Sequence, residues 1–529
     1  MKKKILIFGI TLTLFSSLFY SCVKEEFNMN NITNTNWDPN FAGHLINSHL
    51  TMWDIMNDFD STDLLVIDST HFIYLVYEDT VFSERAENLI SINDQSVSLN
   101  NPLPLGVYNG DIIFEFDHFL DLGYNDPDIS LDSLMLKSGI MSLSMFSDLS
   151  YPATVEVSIP GSTQNGMPFS KTFNYTSSGT TSNYNLDNSK IIFNPTQNRI
   201  PLHFKVTVHG NGGANNSSYA NFTLNLNGAK FQFLFGYLGQ IGINLNHDTV
   251  SVRVYNHAFG GTVHWEDPRL YINIYNGWGL PVRSNVDYLE AKQTISPFSS
   301  VIISGSGIIS PWDINYPTQI GQVAKSSIAL NKNNSNINDA LNITPQLILA
   351  LISGSANPNG NVVKNFVEDK SLLAVEAKLE LPFYGKADGF TLQDTIDFTF
   401  GNNLKNIEWI LFKINITNMF PLDGIIQLYF CDSNNNIVDS LLNPVDQLII
   451  GALPGAAPDY IVKNPTNKIV SQKIANDRMG NLEKTKKIIV NAKLNTYNNA
   501  SQLVKIYSYY YLNVQFSTMV QTSFNSSEL

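Results

Sequence analysis

Leu202-His203-Phe204-Lys205-Val206-Thr207-Val208-His209 places an apolar side chain at every even position and a polar one at every odd position. A period of two marks a strand with one face in a core and the other in water, because successive side chains of a strand point to opposite faces. The alternation recurs at Phe222, Leu224 and Leu226, at Val250, Val252 and Val254, and at Val504, Ile506, Tyr510, Leu512, Val514 and Phe516. Between such runs lie Asn211-Gly212-Gly213, Gly260-Gly261 and Asn434-Asn435-Asn436, residue types that reverse a chain through positive φ or local side-chain bonding. Helix signals are sparse. Thr51-Met52-Trp53-Asp54 reads as a capping box, and Asn481 to Lys487 as a turn or two of helix. The expected fold is all-β, with tandem antiparallel β-sandwich domains and few short helices.

One pattern repeats. Ile272-Asn273-Ile274-Tyr275-Asn276, followed by Gly277-Trp278-Gly279-Leu280-Pro281-Val282, is echoed by Ile414-Asn415-Ile416-Thr417-Asn418, followed by Met419-Phe420-Pro421-Leu422. A fainter copy runs from Ser142 to Ser147, through Tyr151-Pro152, into Val155-Glu156-Val157-Ser158-Ile159. The prolines at 152, 281 and 421 lie 129 and 140 residues apart, a spacing suited to successive sandwich domains. The unit of strand, Asn, aromatic, Pro and strand resembles the late embryogenesis abundant type 2 β-sandwich; here Gly277 and Met419 follow the two asparagines, where that family has Asn-Pro. The resemblance implies a sandwich fold and hints at non-catalytic, hydrophobe-binding roles.

The N-terminus carries an address. Lys2, Lys3 and Lys4 precede an uncharged apolar run from Ile5 to Tyr20 that ends at Ser21-Cys22. The run is short for a transmembrane span and suits a secretory leader. Leu18-Phe19-Tyr20-Ser21-Cys22 resembles a bacterial lipobox, which implies acylation of Cys22 and anchoring to the outer membrane through acyl chains. Lys24, Glu25 and Glu26 then resemble the export signal of surface-exposed lipoproteins of the Bacteroidota, which implies display on the cell surface. Cys431 is the other cysteine, so after acylation no intrachain disulfide can form and stability rests on packing.

Removing the first 21 residues, with their three lysines, leaves 29 basic against 46 acidic residues. That balance argues against nucleic acid as a partner. With 43% hydrophobic residues the chain can bury real cores, and its length asks for three or four of them. The expected division is a leader at 1–21, a tether at 22–36, a mixed N-terminal β domain with a short helix at 37–135, and sandwich units at 136–245, 246–365 and 366–529.

Motifs of hydrolases, zinc proteases and nucleotide-binding loops are missing from the sequence, so no catalytic residue is assigned. Three weaker constellations remain. A two-residue turn at Gly260-Gly261 would set His257 across from His264 and Tyr255 across from Glu266, making His257, His264 and Glu266 a candidate metal or pH-sensitive group. Tyr507, Tyr509 and Tyr511 would share one strand face, a candidate aromatic surface for sugar rings or for a neighbouring domain. Asp432-Ser433-Asn434-Asn435-Asn436 with Asp439, and Asn125-Asp126-Pro127-Asp128 with Asp132, offer oxygen ligands for a structural calcium ion, although each also reads as a turn. The expected role is binding or structural, with a glycan or an outer-membrane protein complex as partner. Handling of a hydrophobe or lipid is the alternative, and glycan-active catalysis the less favoured one.

Overall fold

The computed structural model describes residues 36–525 apart from 38, 58–63, 123–128, 177–178, 194–197, 216–218, 245–247, 253–254, 256–260, 398–403, 405, 443–444, 447 and 476. Strand takes up 64% of the described residues and helix 6%, so the fold is all-β, as the alternation predicts. No helix among the described residues is long and apolar enough to cross a membrane.

The sandwiches are nested in sequence. The described residues begin in the one that also receives the last of them, with β1 (Asn36–Trp37), β2 (Asn40–Thr51) and helix α1 (Met52–Asn57). It passes to a second with β3 (Leu65–Ile67), β4 (Ile73–Arg85) and α2 (Ala86–Leu89). A third is then built without leaving it, from β5 (Gln95–Pro102), β6 (Gly106–Asp121), β7 (Ser130–Ser147), β8 (Ala153–Gln164), β9 (Met167–Tyr175), β10 (Thr180–Asn185), β11 (Ser189–Ile192), β12 (Arg199–Asn215) and β13 (Tyr219–Tyr237). The return through the second uses β14 (Ile241–Asn244), β15 (Asp248–Ser251), β16 (Thr262–Trp265), β17 (Arg269–Asn276), β18 (Val282–Gln293), β19 (Ser299–Ile302), β20 (Trp312–Ile314), β21 (Ala324–Leu330), α3 (Ile337–Asn342), β22 (Leu347–Ala356), β23 (Asn365–Glu368) and β24 (Leu372–Pro382). The first is completed by β25 (Tyr384–Asp388), β26 (Phe390–Asp397), β27 (Ile407–Asn418), β28 (Leu422–Cys431), β29 (Ile437–Ser440), β30 (Thr466–Ala475), α4 (Asp477–Lys484), β31 (Lys487–Thr496), β32 (Val504–Lys505), β33 (Tyr511–Thr522) and β34 (Phe524–Asn525). We call these the terminal, middle and inserted units.

In the terminal unit the sheets are β2-β33-β27-β30 and β26-β31-β28-β29, and β1 pairs with β34, so the two ends of the described chain meet. The middle unit has β21-β17-β24-β4-β3 and a sheet centred on β22 and β18. The inserted unit has β5-β13-β7-β10 and β9-β8-β12-β6, linked by β11, which pairs with both β7 and β8. Its two inner faces meet where Phe204 of β12 stacks on Phe222 of β13, 4.7 Å between ring centroids. Burying a side chain of this kind contributes roughly 1.5–3 kcal/mol.

Two joints tie the units. The small sheet β16-β25-β32 couples middle to terminal, and Gly385 is needed there because a Cβ would lie 2.0 Å from the His264 carbonyl oxygen. β23 leaves the middle unit to pair with β13 of the inserted one, flanked by the ion pairs Lys137–Asp369 at 2.5 Å and Lys364–Asp132 at 2.9 Å.

The repeat marks sandwich corners. Asn276 ends β17 fully buried, its Oδ1 accepting the Trp278 N–H at 2.9 Å and its Nδ2 donating to the Asn315 carbonyl at 3.2 Å. Asn418 ends β27 in the same way, with Oδ1 accepting the Phe420 N–H at 2.8 Å. In the fainter copy Ser147 Oγ accepts the Leu149 N–H at 3.0 Å between β7 and β8. In each case a side chain that bonds the backbone two residues on turns the chain off one sheet and onto the other. Ile274 and Ile416, just before the two asparagines, are both buried, one in the middle and one in the terminal unit.

The expected boundaries at 135, 245 and 365 give way to the nested ones. The segment 37–135 supplies strands to all three units, β4 pairs with β24, and β2 pairs with β33. The spacing between corners counts whatever has been inserted between them, so it measures sequence and not domains. One half of the capping box is formed: Thr51 N and Oγ1 both donate to Asp54 Oδ2, at 2.9 and 2.8 Å, at the start of α1. The second helix lies earlier than expected, at Asp477–Lys484, because Lys487 already opens β31.

Candidate binding face

Alternation in the inserted unit sends Met141, Leu143 and Met145 of β7 and Phe222, Leu224 and Leu226 of β13 into the core. The opposite phase faces water, and the register sorts it into rungs. Asn183, Ser142, Asn225 and Ser96 form one, and Thr181, Ser144, Thr223 and Ser98 the next. Asn185, Ile140 and Asn227 lie on one side of these, and Phe146, Asn221 and Asn100 on the other. No side chain on these rungs ionises. Ser144 Oγ and Thr181 Oγ1 are 2.8 Å apart, while Ile140 and Phe146 stand half exposed at the two ends of the β7 row.

At the Ile140 end the face dips into a shallow groove of about 350 Å³, lined among others by Asn183, Tyr184, Asn185, Asp187 and Asn227. Its rim is held by an Asx turn, with the Asp187 N–H on Asn185 Oδ1 at 2.8 Å and Asn185 Nδ2 on Asp187 Oδ2 at 2.9 Å. Gly228, at φ +60°, lets the β13 chain bend beside it and donates its N–H to Asp94 Oδ1 at 2.7 Å. The other outward face of the unit carries a row of paired charges. His203–Asp117 and His209–Asp111 pair at 2.8 Å, Arg199–Asp121 at 3.3 Å, and Lys205 stands opposite Glu115. One sandwich thus presents ion pairs on one sheet and a set of uncharged rungs on the other.

The residues singled out from sequence are dispersed. Cys22, Lys24, Glu25, Glu26 and His257 lie outside the described residues, as do 125–128. The described partner of β16 is β25, which places His264 across from Lys386. Tyr255 is buried and its hydroxyl accepts the Trp265 indole N–H at 2.5 Å, so the pairing of Tyr255 with Glu266 is not formed. Glu266 instead binds Lys332, Nζ to Oε1 2.7 Å, with His264 Nε2 at 3.4 Å from Oε2. Among the described residues no group of three or more His, Cys, Asp or Glu is placed to hold a metal ion.

The Lys332 bond holds the Glu266 carboxyl below its ordinary 4.5 against the opposing pull of partial burial, with His264 assisting. A carboxyl that titrates lower when folded contributes stability fully above its unfolded value and loses it as pH falls through the folded one. Lys332→Ala should therefore reduce the acid-side fall of the thermal midpoint below about pH 4.5. An unchanged pH series would show that the pair contributes nothing.

The tyrosine ladder is broken by a turn. β32 ends at Lys505, and the Tyr510 N–H bonds the Tyr507 carbonyl at 3.1 Å before β33 begins. Tyr507 is buried, bridges Phe72 and donates its hydroxyl to the Asp459 carbonyl at 2.7 Å. Tyr509 is 43% exposed and stacks on Tyr507, whereas Tyr511 opens β33 and stacks on His49 at 5.3 Å. The three rings therefore serve different surroundings.

The acidic loop at 432–436 bonds to itself. Asp432 Oδ1 accepts the Asn434 and Asn436 N–H groups at 2.8 and 2.9 Å within the β28-β29 hairpin, and these bonds, led by Asn436, lower its carboxyl below the usual range. Asp439 is engaged by Arg478 at 3.0 Å, and Asp132 by Lys364. Of the expected calcium ligands, Asp432, Asp439 and Asp132 are thus engaged in hairpin and ion-pair bonds.

No family model and no curated protein sequence matches the chain. Among solved structures, a protein described as secreted from Parabacteroides distasonis aligns at 14% identity over 55% of this chain and 88% of its own, with a TM-score of 0.28. A chain described as the STIV MCP aligns at 8% identity over 55% of this chain and 96% of its own, TM-score 0.11. The infectious bursal disease virus T13 particle protein aligns at 6% identity over 82% of this chain and 78% of its own, TM-score 0.13.

Proposed function

We propose that the chain is a non-catalytic, lipid-anchored protein of the outer membrane, displayed at the cell surface, whose uncharged sheet face in the inserted unit binds a neutral, hydroxyl-rich glycan. The observation that carries the reading is the set of rungs on β5, β13, β7 and β10. Amides and hydroxyls both donate and accept, which is the pattern sugar hydroxyls present. Ile140 and Phe146 supply apolar contact for the C–H faces of the rings. A protein partner favours an apolar core with aromatic and Arg anchors, and a nucleic acid favours cations; the rungs offer neither. A lipid-handling role asks for contiguous apolar lining, and in the groove Asn183, Asn185, Asp187 and Asn227 interrupt the apolar lining. Pairing of β1 with β34 lets a tether from Cys22 leave from the terminal unit, with the inserted unit as the innermost loop of the nested chain.

The test is electrophoresis of the chain without its leader through native gels containing starch, β-glucan, xylan or mannan. At least one neutral polysaccharide should retard the wild type. Ser142→Asp with Asn225→Asp, which sets two desolvated carboxylates in one rung, should weaken that retardation about tenfold or more. No retardation by any polysaccharide, or equal retardation of the variant, contradicts the reading. Replacing Lys24, Glu25 and Glu26 with Ala should move the protein from the surface to an inward-facing leaflet; unchanged cleavage by external protease would argue against the export signal.

A further inference from the structure

The terminal unit carries a comparable face on β2, β33, β27 and β30, more tightly bonded than the first. His49, Asn513, Thr417 and Asn467 make one rung, and Asn47, Gln515, Asn415 and Ile469 the next. Asn467 Nδ2 donates to Asn415 Oδ1 and to Thr417 Oγ1, both at 3.1 Å, and Asn415 Nδ2 donates to Gln515 Oε1 at 2.9 Å. His49 Nδ1 and Asn513 Oδ1 are 2.6 Å apart, and the His49 ring lies against Tyr511. These bonds fix the orientation of each amide and leave Gln515 Nε2 and Asn513 Nδ2 facing outward without a partner among the described residues. Such prior ordering lowers the entropy lost when a ligand is bound. At the far end Trp409 lies under Lys473, 4.5 Å from Nζ to the ring centroid.

We infer that this face is a second binding site, for an extended neutral glycan, so that one chain grips a polysaccharide at two places. The inference borrows its ligand chemistry from the reading of the inserted unit but stands on different residues. The lack of fixed charge on the two amide rungs favours a neutral occupant. In a chain of net charge −14 these rungs hold no carboxylate, and their cations, Lys413 and Lys473, sit away from the amides on the next two rungs. The exposed apolar side chains, Ile469 and Met519, fall on different rungs and make no core for a protein partner. Alternate residues of a strand are about 6.6–6.8 Å apart, so the four rungs from His49 to Met519 extend about 20 Å. That length suits several sugar residues in line, with Tyr511 and His49 offering a ring face at one end. Two weak sites joined on one chain hold a polymer more firmly than either alone, because the second contact is made at high effective concentration.

The test extends the gel measurement with the full chain lacking its leader and carrying Cys22→Ala, mobility in polysaccharide-free gels serving as reference for each variant. Asn415→Asp with Gln515→Glu should weaken retardation by the neutral polysaccharide about tenfold or more. Ser142→Asp with Asn225→Asp should leave residual retardation, and the four substitutions together should abolish it. Asn513→Ala with Gln515→Ala, which removes the outward amides without adding charge, should act in the same direction as the acidic pair and guards against a folding defect. If the terminal-unit variants run as the wild type, or if the inserted-unit variant alone abolishes retardation, the second site is refuted and the first is untouched. If only the terminal-unit variants lose retardation, the second site stands and the first falls. A wild type that no neutral polysaccharide retards refutes both.

Discussion

Asn418→Ala should lower the stability of the terminal unit by about 3–5 kcal/mol, read as a shift of the urea midpoint at constant m. The side chain is 1% exposed, and its Nδ2 donates to the carbonyls of Phe420 at 2.9 Å, Leu422 at 3.1 Å and Ile450 at 2.9 Å while Oδ1 accepts the Phe420 N–H. Alanine removes all of these partners at once, and each buried group left unsatisfied costs about 1–3 kcal/mol, partly relieved by water and relaxation. Asn276→Ala should cost less, about 1–3 kcal/mol, because only the Trp278 N–H and the Asn315 carbonyl lose their partners. The ranking is as informative as the size. A loss below about 1 kcal/mol at Asn418 would mean that the corner is held by packing alone.

Cys22→Ala should release the protein from the membrane altogether. An acyl chain contributes roughly 0.8 kcal/mol per buried CH₂, and two or more are needed for stable anchoring. No other part of the sequence past the leader reads as a span of about 20 apolar residues. The wild type should sediment with membranes and partition into detergent, and the variant should be found in the aqueous phase. Retention of the variant after a high-salt wash would contradict an acyl anchor and point to attachment through a bound partner.

The strand pattern was legible because alternation is local: Leu202 to His209 and Phe222 to Leu226 can be assigned without knowing their neighbours. The corner asparagines were legible as a repeat for the same reason, since their bonds reach only a few residues. Pairing across the chain was not. Nothing between residues 40 and 51 announces a partner at 511–522, so the nesting escaped a reading that counted along the sequence. The tyrosines misled because Val504 to Phe516 keeps its alternation across the turn at Ser508–Tyr509. The uncharged face left a faint trace. The outward phase of β13 is Asn221, Thr223, Asn225 and Asn227, while that of β12 is His203, Lys205, Thr207 and His209. Only the register, by laying Ser142, Asn183 and Asn225 side by side, turns that difference into a surface.

Hydrogen exchange of the whole chain, with and without a polysaccharide that retards it, tests the binding face most directly. Added protection is expected in the inserted unit on β5, β7, β10 and β13, greatest near Ser142 and Asn225, with β6, β8, β9 and β12 unchanged. Protection of the charged sheet instead, or none in the inserted unit at saturating polysaccharide, would contradict it.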